Sequence, residues 1–164
     1  MIILGIDPGL ATIGFGVIEK TGGDIKVIDY GIISTPKDLT LPDRLKMIEE
    51  GVVSLFSTYK PEVVAIEELF FNNNARTAIA VAEARGVILL TCRKLAKELY
   101  EYTPLQIKQG LTGYGRADKR QMQEMVKNLL KLKSIPRPDD AADALAVAIC
   151  HSQTSRFGNL FKIN

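Results

Sequence analysis

Four carboxylates stand where a globular chain rarely places them. Asp7 closes the apolar run Ile2-Ile3-Leu4-Gly5-Ile6, and Glu67 closes Val63-Val64-Ala65-Ile66. Asp140 and Asp143 are three residues apart ahead of Ala144-Leu145-Ala146-Val147, so on a helix they share one face. Ligands in an open α/β sheet gather at the carboxyl ends of its parallel strands. Acids crowded there, away from water, repel one another and would have to take up protons. A divalent cation removes the conflict, and oxygen donors without His or Cys suit Mg²⁺ or Mn²⁺. Two such cations about 4 Å apart can activate a water and stabilise the leaving oxygen of a phosphodiester.

Each acid also has a plainer role open to it. Asp7 before Pro8-Gly9 could fix a turn, and Glu67 or Glu68 could be a solvated strand end. Asp139 and Asp140 could cap a helix and oppose its dipole. Asp143 is harder to explain this way, because it interrupts an alanine-rich buried face. His151 is the only histidine, so no Ser-His-Asp arrangement competes. On a helix it lies roughly 16 Å from Asp140, which makes it structural.

The basic residues point to a polyanion. Residues 103–137 hold Lys108, Arg116, Lys119, Arg120, Lys127, Lys131, Lys133 and Arg137 against Asp118 and Glu124. With a net charge of +2 overall, that segment is +6 and the rest of the chain −4. A solvated helix face would carry the same charges.

The elements that must position these residues follow from periodicity. Strands are expected at residues 2–6, 14–19 and 26–34, joined by short turns into an antiparallel meander. Pro42 opens a helix to about residue 59, with Leu45, Ile48, Val52, Leu55 and Phe56 at helical spacing. Residues 63–66 read as a buried parallel strand and Asn72-Asn73-Asn74 as a loop. A long helix is expected from Ala75 to about Glu98, apolar on nearly all sides between Gly86 and Cys92, which suits either a core or a partner face. A strand at residues 99–103 precedes a short helix capped by Thr103-Pro104 and broken by Gly110, Gly113 and Gly115. Asp118 and Gln121 form a capping box for a helix that Pro136 and Pro138 stop. The last helix covers residues 139–153.

The 164 residues therefore read as one α/β domain, too short for a two-lobed nucleotide hydrolase. No apolar run spans a membrane and no signal peptide is visible. Cys92 and Cys150 are too few for a disulfide framework and suit a reducing cytoplasm.

Three segments carry a resemblance. Ile3-Leu4-Gly5-Ile6-Asp7-Pro8-Gly9, Ala65-Ile66-Glu67-Glu68-Leu69-Phe70 and Asp140-Ala141-Ala142-Asp143-Ala144-Leu145-Ala146 resemble, in order and spacing, the acidic motifs of the RuvC family of bacterial Holliday-junction resolvases. Ala84-Arg85-Gly86-Val87 and Gln106-Ile107-Lys108-Gln109 resemble it too, so the likeness runs from about Ile2 to His151. It implies an RNase H-like fold: a mixed five-stranded sheet, three-strand meander plus parallel strands, flanked by helices. It implies a homodimer that nicks two strands of like polarity in a four-way DNA junction, leaving 5′-phosphate and 3′-hydroxyl ends. Asp7, Glu67, Asp140 and Asp143 match the family's metal-binding acids, which would hold two Mg²⁺ with Mn²⁺ as a substitute. Lys108 and Lys119 match basic residues near the scissile phosphate or the DNA backbone, and Phe70 an aromatic near the junction centre. The branch-migration proteins RuvA and RuvB would be partners.

Physical chemistry adds Phe71 beside Phe70 as a wedge against unstacked bases, unless one of the two is core. Arg76, Arg116 and Arg120 are further candidate DNA contacts. Other readings are an actin-like ATP hydrolase, a non-catalytic DNA-architecture protein, or another RNase H-like nuclease.

Overall fold

The computed structural model describes residues 1–69, 75–96, 98–154 and 161–163. In chain order the elements are β1 (Ile2–Asp7), β2 (Thr12–Thr21), β3 (Asp24–Ser34), α1 (Leu41–Tyr59), β4 (Val63–Glu67), α2 (Ala75–Leu95), β5 (Glu98–Tyr102), α3 (Pro104–Thr112), α4 (Lys119–Leu129) and α5 (Asp139–Thr154). The sheet order is β3-β2-β1-β4-β5. The meander β1-β2-β3 is antiparallel, while β1, β4 and β5 run parallel. This is the expected mixed five-stranded α/β sheet flanked by helices.

Alternation along the strands decides which way the acids face. Ile3 of β1 and Val63 and Ala65 of β4 pack into one core, with Leu145 and Ile149 of α5. Leu4 and Ile6, with Val64 and Ile66, pack into the other, against Ile48 and Val52 of α1 and Ala84 and Ile88 of α2. Successive strand residues point to opposite faces. Asp7 and Glu67 therefore share the α5 face. The parallel register Ile6↔Ile66 makes them neighbours at the carboxyl ends of their strands.

Small residues let α5 lie almost on the sheet. A Cβ on Gly5 would come within 2.1 Å of the Ala144 carbonyl oxygen, and one on Gly14 within 2.0 Å of the Asp140 carbonyl oxygen. On the helix side Ala141, Ala142, Ala144, Ala146 and Ala148 are all buried. The glycines thus set the depth at which Asp140 and Asp143 meet the strand ends. At the far edge β5 is covered by the C-terminal segment: Glu101 N–H donates to the Phe161 carbonyl (3.0 Å) and Ile163 N–H to that of Leu99 (2.9 Å).

Several boundaries differ from the sequence expectation. The long helix ends at Leu95 rather than near Glu98, because Glu98 must pair with Val63 to put β5 in register. Gly110 does not break α3; it packs on Cys150, where a Cβ would lie 2.9 Å from Sγ, and only Gly113, at φ 78°, ends the helix. The helix opened by the Asp118–Gln121 capping box ends at Leu129, well before Pro136, with Leu130 as its cap and Lys131 at φ 53°. The β2–β3 hairpin extends to Thr21 and Asp24, so only Gly22 and Gly23 form the turn.

The close approach of α5 is testable. Gly14→Ala is expected to destabilise the fold by about 2 kcal/mol, read as a melting temperature lower by roughly 4–8 °C for a chain of this size. An unchanged melting temperature would show that α5 is not held against β2 in this way.

Candidate active site

The four acids converge. Asp7 and Glu67 close β1 and β4, and Asp140 and Asp143 come from the first turns of α5. One carboxylate oxygen from each of Asp7, Asp140 and Asp143 lies within 4.8 Å of the others. Glu67 stands beside Asp7 and shares a hydrogen bond with it. Its direction is fixed by the ladder beyond it, where Glu68 N–H donates to the Tyr102 carbonyl at 2.8 Å. Asp7, Glu67 and Asp143 line a cavity of about 280 Å³ with apolar walls from Ile107 and Met122.

Their protonation shows the conflict. Burial first, then the charges of Glu67, Asp143 and Asp140, push the Asp7 carboxyl up to about 8. Burial and Asp143 push Glu67 up to about 7, although Lys108 and Lys119 pull the other way. Burial raises Asp143 as well, opposed by Lys119. In the absence of metal the Asp7 carboxyl keeps a proton, which it shares with Glu67. The donor set is oxygen only, half-buried and mutually repelling, with three oxygens close enough to share one ion. It fits a hard divalent cation.

Two of the basic residues reach this cavity. Lys108 lines it from α3, whose start is held by a capping box between Thr103 and Gln106. Lys119 is the first residue of α4, and the Asp118–Gln121 box fixes it there. Its Nζ lies 3.5 Å from Asp143 and 3.3 Å from Asp139. Arg116 is exposed on the turn between α3 and α4. Arg120 lines a separate recess with Tyr114 and Glu124, because adjacent helix residues face different ways. Arg76 lies in the first turn of α2, with its side chain outside what the structure describes, and Phe70 and Phe71 lie outside the described residues.

His151 is remote, as expected. It is 2% exposed, Nδ1 is 2.8 Å from the Tyr102 hydroxyl, and burial lowers its imidazole to about 4, so it is neutral. The residue that sequence reasoning passed over is Asp139. It stood there only as a cap, but here it gathers Lys119, Arg137 and Gln123. Nothing in its local sequence separates it from a cap, since its partners come from other elements.

The family model described as crossover junction endodeoxyribonuclease RuvC matches residues 3–151. The chain belongs to the RuvC family. It is 57% identical over 163 residues to the crossover junction endodeoxyribonuclease RuvC of Alkaliphilus oremlandii (strain OhILAs), covering 99% of both chains. The structure of Thermus thermophilus RuvC superposes with a TM-score of 0.89 at 34% identity, over 99% of this chain and 100% of that one. T. thermophilus RuvC in complex with Holliday junction substrate superposes equally well, TM-score 0.89 at 31% identity, with the same coverage. The fold is thus that of the RNase H-like resolvases. The actin-like and purely architectural readings are not favoured, nor is another RNase H-like nuclease.

The raised Asp7 carboxyl gives a pH test of this RuvC-type acid cluster. A carboxyl whose pKa is raised by folding stabilises the native state most below about pH 4, and that stability is lost as the pH climbs through about 8. In chelator, Asp7→Asn is therefore expected to melt several degrees above the unaltered protein at pH 8.5, roughly 5 °C. The two are expected to converge towards pH 4–5. A difference that does not vary with pH would show that Asp7 is not the crowded group.

Proposed function

We infer that the chain is a metal-dependent, structure-selective endonuclease that resolves four-way DNA junctions, cutting two strands of like polarity to leave 5′-phosphate and 3′-hydroxyl ends. The observation that carries this reading is the meeting of four acids, three of them lining one cavity and Asp140 within ligand reach of two of those, with two lysines in the same lining. Family membership supports it, and T. thermophilus RuvC was solved with such a substrate.

Asp7, Glu67, Asp140 and Asp143 would hold two Mg²⁺, with Mn²⁺ able to substitute. When bound, such ions supply an activated water and neutralise charge on the leaving oxygen. The chain's own residues do the rest. Asp7 and Glu67 give up the proton they share on loading, because a ligating carboxylate must be ionised. Ile107 and Met122 keep one wall of the cavity dry, which strengthens charge interactions inside it. Lys108 and Lys119 place ammonium groups at the rim, where they can contact the phosphate and the charge that develops on it. Arg76, Arg116 and Arg120, with Phe70 and Phe71, would bind the junction arms and centre.

A single nuclease domain over residues 1–164 carries one such site, so paired cuts need a homodimer. Helix α2 offers a surface for it. Ala84, Ile88 and Cys92 are buried in the core, while Ile79 and Leu90 are exposed at 64% and 57%. RuvA and RuvB complete the reading, as does a cytoplasmic location; among the described residues no helix is long and apolar enough to cross a membrane.

Purified protein should be given four-way junction, linear duplex and RNA–DNA hybrid side by side, with Mg²⁺, Ca²⁺ or chelator. Cleavage of the junction alone, in Mg²⁺, is expected. Asp7→Asn and Asp143→Asn are each expected to slow cleavage by about 10³-fold or more while junction affinity changes little. Cleavage by either variant at the original rate would refute the assignment.

A further inference from the structure

We propose that Asp139 is a positioning residue for the reaction: a carboxylate outside the cavity lining that holds Lys119 at the cavity rim. This rests on the reading of Lys119 as a group acting at the scissile phosphate.

The two oxygens of Asp139 are divided between two tasks. Oδ1 accepts from Gln123 Nε2 at 3.1 Å and from Arg137 Nη1. Gln123 is only 6% exposed, in the core-facing side of α4, so its amide cannot swing away. With Oδ1 so held, Oδ2 is turned to Lys119 Nζ, at 3.3 Å. Lys119 and Gln123 are four residues apart on α4 and so lie on one helix face. Asp139 reads both at once from the first turn of α5, the helix that also carries Asp140 and Asp143. The contact therefore ties the basic residue on α4 to the acids on α5.

The geometry also explains why Lys119 needs a second counter-charge. Its other partner is Asp143, at 3.5 Å, which is one of the cavity acids. An ammonium held by Asp143 alone would compete with a cation for that carboxylate. With Asp139 beside it, Lys119 has a partner just outside the cavity and keeps its place when Asp143 turns to other work. A flexible lysine otherwise loses much rotamer freedom to stay in one geometry.

The test is a double-mutant cycle on single-turnover junction cleavage, in the full-length protein, with Asp139→Asn, Lys119→Met and both. Asparagine can still accept from Gln123 but carries no charge for Lys119. Asp139→Asn is expected to slow cleavage about tenfold with junction affinity in Ca²⁺ unchanged, since misplacing a group near the chemistry costs rate rather than binding. In the Lys119→Met background it is expected to change nothing further. A second readout does not use activity. The ordered ammonium signal of Lys119 in nitrogen-15 NMR of the metal-free protein is expected to be lost in Asp139→Asn, while the melting temperature stays within a few degrees, as befits a surface pair. An equal slowing by Asp139→Asn with and without Lys119, an unslowed Asp139→Asn variant, or a Lys119 signal that survives would each overturn the proposal. If Lys119→Met itself cuts at the original rate, it is the role of Lys119 that fails.

Discussion

Everything at this site depends on charge repulsion that the backbone enforces. Three aspartates and a glutamate would separate in water, but α5 is pressed onto β1 and β2 through Gly5 and Gly14, and the helix brings Asp140 and Asp143 with it. The result is a carboxyl on Asp7 raised to about 8 and one on Glu67 raised to about 7. Folding energy from the apolar cores on both sides of the sheet sustains that unfavourable crowding. A bound cation would reverse its sign, with the same acids serving as its ligands.

The lysines answer the same field from outside. Lys108 and Lys119 approach from α3 and α4, two short helices that sit over the α5 face and each start at a capping box. Caps of this kind fix the direction of the first turn. That turn is where Lys119 stands, and the Asp139–Gln123 contact completes its placement. Acids on rigid strand ends and a central helix, with bases on shorter helices, give a cavity of mixed charge that can accept both a cation and a phosphate.

Much of this was legible in the sequence because it depends on local periodicity. Period-two alternation puts Asp7 with Ile3 and Glu67 with Val63, and three-residue spacing puts Asp140 with Asp143. The Thr103 cap and the Asp118 capping box were readable for the same reason, whereas the reciprocal Gln106 contact at Thr103 appears only in the structure. What could not be read depends on contacts distant along the chain. Gly110 looks like a helix breaker until Cys150 is found against it. The end of α2 is set by the pairing of Glu98 with Val63, and Arg120 looks equivalent to Lys119 until the helix turns it into another recess. Asp139 looked like a cap for the same reason, since its partners are brought to it by folding.

The central claim is that these acids form one cation site that is protonated when empty. The direct measurement is calorimetric titration of Mn²⁺ into DNA-free protein at pH 7.5, in buffers of different ionisation enthalpy. The account expects saturable binding with release of about one proton per chain or more, and weaker binding without that release in Asp7→Asn. Equal affinity in the two proteins, or binding with no proton released, would contradict it.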